Sequence, residues 1–551
     1  MRTGHASQCL LSVIVTKRKK IDFDETFFLS SICIVVGLGY CVANITGMIV
    51  KPKKAVVVLL DSLNRHMLGC YGGEEFLTPN LDRFAARSVK FNNHYTGSLP
   101  CMPARHDILV GAMDFLWRPW GSIELWERPI THYLRKMGIP THLFSDHPHL
   151  FEVGGENYHT DFYSWEYTRG HEGDPWKTRA DTSWLGTPAL PAQGGKRHYD
   201  LNRTWFKDEL DFPGPKTMKA TAEWLAQHGK ELDSFMLFVD EFDPHEPFDT
   251  PAPWANKYDP DWQDELMIWP PYAVDGVKNG KLSEREGQHI RANYGSKLSM
   301  IDHWFGKILE EMDNSNLWDD TLFIVCTDHG HYLGEKDIWG KPRVPQYETM
   351  GHTPLMVASP GIEAKEVDAL TTNVDIHATL ADLFGVDVEY ITHGKSLLPL
   401  VYGEKTEIRQ WAIGGIYGQW VQIQDGTNKY ARAPVGSGFP LSMWSNRWST
   451  MPIPTMPSVR LPNPDKRAYL DYMPGSDIPV IRQPFQQGDL LPFWSMNPKI
   501  DNHHLYRLDL DPTETENRVG EKLEDNMIEL LRVALTEMQA PKEQFERLGI
   551  L

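Results

Sequence analysis

At 551 residues, with 41% hydrophobic and 23% charged side chains, the chain has the make-up of a globular protein, long enough for one large domain plus a smaller one or for roughly two to four average domains. Its net charge of -19 argues against a nucleic-acid partner, and an anionic substrate would have to meet positive charge gathered locally from arginine, lysine, histidine or a metal. Six cysteines, three of them (Cys9, Cys33 and Cys41) near the amino terminus, make no disulfide framework. Cys70 and Cys326 sit in apolar, strand-adjacent stretches and read as core residues. The 19 tryptophans and 39 prolines point to loop-rich surfaces with aromatic contact area, of the kind on which sugars dock.

The basic run Lys17-Arg18-Lys19-Lys20 precedes an apolar stretch, Phe27 to Val50, about long enough to span a bilayer. Cys41-Val42-Ala43 would also serve as a signal-cleavage site. Residues 1–51 thus read as an export signal or a membrane anchor, giving an exported, periplasmic or membrane-anchored protein. The alternative is a mis-assigned start, with translation beginning at Met48 and a cytoplasmic enzyme as the product.

From residue 52 onward, short apolar runs end in polar clusters. Ala55 to Leu60 is a continuous apolar run, as expected of a strand buried on both faces, and it ends in Asp61. A carboxylate at that end of a central strand stands where α/β folds bind ligands. Thr78-Pro79 opens a helix, and Val89 to Tyr95 is a second strand. Cys101-Met102-Pro103-Ala104-Arg105 leads into a helix over Ala104 to Val110 that ends at Gly111. A helix spans Ile130 to Met137, and strand Thr141 to Ser145 runs into Asp146-His147-Pro148-His149. Gly154 to Trp176 reads as a substrate-shaping loop. A helix over Lys216 to His228 and a strand over Phe235 to Val239 lead to Asp240-Glu241-Phe242-Asp243-Pro244-His245. Ile290, Tyr294, Leu298, Ile301, Phe305 and Ile308 fall at helical spacing and form a packing stripe. Strand Leu322 to Cys326 ends in Thr327-Asp328-His329-Gly330, which with Asp61 makes a candidate metal site once the turn at Gly330 brings both side chains to one ion. Lys341 and His352 follow, then an amphipathic helix from Val374 to Phe384. Past residue 405 the pattern changes to antiparallel strands, Trp411 to Ile416 and Trp420 to Gln424. Pro434 to Pro498 is irregular, as filler or as an active-site rim, and Leu505 to Leu510 and a helix over Asn526 to Met538 close the chain.

Strand-Asp, Leu68-Gly69-Cys70-Tyr71-Gly72, Thr78-Pro79-Asn80-Leu81-Asp82 and Cys-x-Pro-x-Arg, in that order, resemble the formylglycine-dependent sulfatase family of the alkaline phosphatase superfamily. The resemblance covers nearly the whole chain from residue 52. Most sulfatases have two adjacent aspartates after the first strand, whereas here Ser62 is the second. Phosphonate monoester and phosphodiester hydrolases of that branch also lack the second carboxylate, and some carry Asp-His where this chain has Asp328-His329.

The resemblance implies an α/β fold: a large mixed sheet flanked by helices over 52–405, and a small antiparallel-sheet subdomain over 406–551. It implies that Cys101 is oxidised to formylglycine by a formylglycine-generating enzyme, because a hydrated aldehyde offers one hydroxyl to attack and another to expel the product. Asp61, Asp328, His329 and residue 101 would hold one divalent cation, calcium by family habit. Manganese competes, since Ser62 replaces a carboxylate and His329 brings nitrogen. Arg105, Lys341, His147 and His149 would surround the anion, His352 would stand at a commonly basic substrate position, and a cationic His245 would protonate the leaving alcohol. His149 would help break the covalent ester. The expected reaction is hydrolysis of a sulfate ester, on a small molecule or a glycan. Phosphodiester or phosphonate monoester hydrolysis is the nearer alternative, and a non-catalytic glycan-binding relative the more distant one.

Overall fold

The computed structural model describes residues 51–180, 195–451, 464–495 and 502–551, with side chains described from residue 198 in the second segment. The amino-terminal leader or anchor read over 1–51 lies, but for Lys51, outside these residues, as do Cys9, Cys33 and Cys41. Among the described residues no helix is long and apolar enough to cross a membrane.

Eight strands form one mixed sheet: β1 (Lys54–Leu60), β2 (Val89–Tyr95), β3 (Thr141–Ser145), β4 (Ser164–Tyr167), β5 (Phe235–Glu241), β6 (Thr321–Cys326), β7 (Leu355–Ala358) and β8 (Lys365–Thr372). Their order is β8-β2-β7-β6-β1-β5-β3-β4. β1 pairs in parallel with β5 and β6, and only β7 runs against its neighbours, β2 and β6. All seven residues of β1 are buried because both faces of the sheet are covered. Ala55, Val57 and Leu59 face a layer that includes α1 (Cys101–Val110) and α4 (Val374–Phe384). Val56, Val58 and Leu60 face the other layer, with α2 (Pro213–His228) and α3 (Glu284–Asn314). The stripe Ile290, Tyr294, Leu298, Ile301, Phe305 and Ile308 is wholly buried there. α3 starts on a capping box, with Ser283 and Glu286 each satisfying the other's backbone N–H.

Beyond Ala412 the chain forms a four-stranded antiparallel sheet, Ala412–Gly415, Val421–Gln424, Asn428–Arg432 and His504–Arg507, with the helix Leu523–Glu537 against it. Several strands depart from the sequence reading. Within the stretch read as irregular, Leu441–Ser445, Tyr469–Tyr472 and Pro479–Phe485 form a three-stranded antiparallel sheet. Pro479 is the first residue of its strand and Pro484 lies one from its end, positions where a missing N–H costs little. β4, inside the expected loop, and β8 are edge strands whose exposed residues blur the apolar signal.

Candidate active site

Three carboxylates meet at the C-terminal ends of the central parallel strands. In register, Leu59 of β1 lies beside Asp240 of β5 and Cys326 of β6, so Asp61 and Asp328, each two residues further on, emerge at the same level. α1 brings in Cys101 as its first residue, three residues earlier than the sequence pattern indicates. Pro103 falls within the first turn, where no intrahelical N–H is required, and the first helical bond runs from Ala104 N–H to Pro100 O at 3.1 Å. Gly111 ends the helix at φ 79°, as its position suggests.

Donor atoms of Asp61, Cys101, Asp328 and His329 all lie within 4.8 Å of one another, and all four residues are buried. His329 donates Nδ1–H to Gly330 O at 2.8 Å, which leaves its Nε2 lone pair directed to the cluster, 3.2 Å from Cys101 Sγ. Gly330 makes the turn possible: a Cβ there would lie 1.9 Å from Thr349 O. Asp61 Oδ2, wholly buried, has no hydrogen bond, although Arg105 Nη2 stands 2.8 Å away. Two hard carboxylates, one of them with an orphaned oxygen, and one imidazole nitrogen fit a divalent cation. Ser62 fills the position of a second aspartate, at φ 61°, donating its hydroxyl to Asp61 Oδ1 at 2.8 Å and its N–H to Asp328 Oδ1 at 3.0 Å. Burial, with Asp328 adding, lifts the Asp61 carboxyl well above the usual carboxylate range. Burial would lift Asp328 too, but His329 and Arg105 hold it below that range. Burial and Asp61 push the Cys101 thiol well above its ordinary value.

Arg105 was expected beside a substrate anion. It lies instead among the carboxylates, with Nε bidentate to Asp240 at 3.0 and 3.1 Å, Nη2 to Asp240 Oδ1 at 2.7 Å and Nη1 to Asp328 Oδ2 at 2.8 Å. It ties Asp61, Asp240 and Asp328 together.

Four histidines surround the ring of Phe242, at centroid distances of 4.1 Å for His245, 4.7 Å for His147, 4.8 Å for His171 and 6.2 Å for His149. His245 donates Nδ1–H to Glu246 O at 2.7 Å and accepts from the Lys341 ammonium at Nε2, so its ring is neutral here and the proton sits on Lys341. Burial pushes His245 well below its ordinary value, while Glu246 holds Lys341 charged against burial. Glu246 accepts from His331 Nε2 at 3.0 Å and from the Tyr272 hydroxyl. His147 is buried and kept neutral by burial and Arg105, and both its nitrogens lack a hydrogen-bond partner. His149 is raised to about 10 by Glu152 and Glu172, which outweigh burial.

His352 does not join this group. It stacks on Tyr95 at 4.5 Å, with Nδ1 2.8 Å from Glu348 Oε2, because the turn before β7 directs it to the charged cluster that Glu348 forms with Lys429. Asp240, Glu246, Tyr272 and Asn373, whose Nδ2 donates to Asp328 O at 3.2 Å, escaped the sequence reading. Only Asp240 had a usable signal, a carboxylate at the end of a buried strand.

Comparison with known proteins agrees with this geometry. The sulfatase family model matches residues 53–386. The choline-sulfatase of Rhizobium meliloti is 28% identical over 419 residues, 69% of this chain and 78% of its own. Human iduronate 2-sulfatase is 26% identical over 379 residues, 62% of this chain and 65% of its own. The phosphonate monoester hydrolase of Agrobacterium radiobacter shares the fold, with a TM-score of 0.58 at 17% identity over 89% of this chain and 95% of that one. A mixed sheet with carboxylates at its strand ends and a cysteine heading a buried helix is the alkaline phosphatase-like architecture of sulfuric ester hydrolases. The chain belongs to the sulfatase family.

Proposed function

We propose that this enzyme hydrolyses sulfate monoesters of a carbohydrate, with residue 101 converted from cysteine to formylglycine by a formylglycine-generating enzyme. The observation that carries the reading is the meeting of Asp61, Cys101, Asp328 and His329 within one ion's reach. Asp61, Asp328, His329 and residue 101 would hold a divalent cation, calcium, with manganese the competing ion because of the imidazole nitrogen. Once present, the cation and the hydrated aldehyde would together supply Lewis-acid polarisation of the sulfate and a hydroxyl nucleophile at residue 101.

The chain's own side chains have separate tasks. Arg105 keeps the carboxylates in register and helps hold Asp328 ionised. His147, neutral and without a hydrogen bond at either nitrogen, would offer one N–H to a sulfate oxygen. Lys341 holds a proton at Nζ against His245 Nε2, and the pair can pass it to the departing alcohol oxygen. Glu246 keeps that pair oriented. The glycan assignment is supported by the aromatic residues Trp120, Tyr272, Phe493 and Trp494 packed about the same core as Cys101, and by the iduronate-sulfatase relative. Export or anchoring by the first 51 residues is part of the proposal, since sulfated glycans lie outside cells.

Peptide mass spectrometry on protein made with its own modification machinery tests the reading. Trypsin releases Phe91–Arg105 and the control peptide His66–Arg83. We expect residue 101 as the aldehyde and Cys70 as the thiol. A thiol at both positions removes the nucleophile and overturns the reading. A second reading, phosphodiester or phosphonate monoester hydrolysis, is favoured by Ser62 beside Asp61. Rates on an aryl sulfate and an aryl phosphodiester separate the two.

A further inference from the structure

Besides the sheets already described, Ala273–Val274, Ile338–Gly340 and Tyr332–Leu333 form a small antiparallel sheet, in that order. Ala273 lies opposite Trp339, and Tyr332 opposite Gly340. By that register Tyr272 comes level with Gly340 and His331 level with Lys341, so Tyr272, His331 and Lys341 leave the sheet at one end. All three converge on Glu246, which is buried. Tyr272 donates its hydroxyl to Glu246 Oε1. Oε2 lies 3.0 Å from His331 Nε2, 3.3 Å from His245 Nδ1 and 3.8 Å from Lys341 Nζ. Burial and Glu246 push the Tyr272 hydroxyl well above its ordinary value, so it stays a donor. The Tyr272 ring is seated as well: Gly340 has φ 71°, and a Cβ there would strike that ring. Trp339, from the same strand, packs into the layer that holds α3. The small sheet is thus anchored in the core, and its end holds a carboxylate against the Lys341–His245 pair.

We propose that Tyr272 and His331 are positioning residues for the proton-donating step: by clamping the two oxygens of Glu246, they fix the Lys341–His245 pair at the departing alcohol oxygen. This rests on the sulfatase reading for the ester that is cleaved. As the bond between sulfur and the alcohol oxygen breaks, its electron pair stays on that oxygen, and a proton passes to it from the pair. The pair regains its proton from solvent. Tyr272 and His331 exchange no proton with the substrate. Without the Tyr272 hydroxyl, Glu246 Oε1 loses its donor and the carboxylate is free to turn, so the pair loses its alignment. A misaligned proton donor matters most where the leaving group cannot depart without a proton.

The experiment compares the native, metal-loaded full chain with Y272F, which keeps the ring and removes only the hydroxyl. The substrates are 4-nitrophenyl, phenyl and cyclohexyl sulfate, and the quantity read is kcat/KM, which covers the step that frees the alcohol. A nitrophenolate leaves readily without a proton, whereas an alkoxide does not. We expect kcat/KM of Y272F to fall less than about twofold on the nitrophenyl ester and roughly tenfold or more on the cyclohexyl ester, with the phenyl ester between them. H331Q, whose amide can still donate to Glu246, should depend less on the leaving group than H331L. Metal content and thermal midpoint are measured on every variant. An equal loss on all three esters, or no loss, overturns the positioning role, because a merely structural change does not sort substrates by leaving group. A native enzyme that spares the sulfates but cleaves phosphodiesters of the same three alcohols overturns the sulfatase reading alone, and the same comparison on the diesters then decides the role of Tyr272.

Discussion

Two arginines of this protein lie buried among three carboxylates each, and the two clusters differ in which donor atoms they leave free. Arg105 faces Asp61, Asp240 and Asp328. Arg118 faces Asp114 at 2.7 Å, Glu124 at 2.9 Å and Glu127 at 3.1 Å. Each region also brings histidine and carboxylate donor atoms close enough to share an ion: Asp61, Asp328 and His329 with Cys101 in one, His106, Asp114 and Glu127 in the other. The difference is in the donors. His106 places Nε2 2.7 Å from Glu127 and Nδ1 3.2 Å from Ala112 O, so it is a second cation, pushed up to about 9 by Glu127 and Asp114 against burial. Glu124 also accepts from Asn446 N–H at 2.7 Å and Arg447 N–H at 3.1 Å, tying the three-stranded sheet to this region. Near Arg105, by contrast, Asp61 Oδ2 has no hydrogen bond and His329 turns a lone pair inward. Around Arg105 the cluster thus keeps an acceptor unused, whereas around Arg118 the carboxylates are engaged by Arg118, His106 and backbone N–H groups.

The sharpest break of this comparison is Asp328→Asn against Glu127→Gln. Asp328→Asn lowers kcat/KM by roughly 1,000-fold or more, about 4 kcal/mol, and abolishes metal uptake. Glu127→Gln lowers the midpoint and leaves metal content intact. Metal analysis, kinetics and calorimetry on both variants check this, and parallel losses would erase the distinction.

Arg118→Met strands buried carboxylates and costs about 3–5 kcal/mol of stability, while kcat of the folded fraction stays within about twofold. Denaturant titration with activity measured per folded molecule reads both quantities.

The His106 pair also predicts a pH dependence. Its folded pKa of about 9 lies above the unfolded value, so its contribution is complete below about pH 6.5 and is lost as pH rises towards 9. The loss amounts to roughly 3 kcal/mol and should vanish in Glu127→Gln. Denaturation midpoints at pH 6 and pH 9 measure it.

The smallest effect is expected from His352→Ala. Stacked on Tyr95 and paired with Glu348, His352 should cost about 1 kcal/mol of stability and change kcat/KM by less than about twofold.

The sheet's buried strands were legible because a strand covered on both faces is an unbroken apolar run: β1, β2, β3 and β6 fall within a residue of the expected limits. β8 and the three-stranded sheet were not, because edge and half-exposed strands mix polar residues and prolines into the pattern. Asp61, Cys101, Asp328 and His329 could be picked out because each sits at an element end beside a recognisable motif. Glu152 and Glu172 could not, since nothing in their local sequence marks them as partners of one imidazole.

Sequence alone determined the fold class, the strand-end carboxylates and the cysteine that heads α1, because local pattern and chain order encode them. Only the tertiary structure decided what each charged group does. Arg105 is tied into a carboxylate cluster because Asp240 comes beside it from β5, 135 residues away in the chain. His149 is a cation and His245 neutral because one faces two carboxylates and the other a lysine. Protonation and orientation depend on which groups lie within a few ångströms, and those distances exist only once the sheet has been assembled.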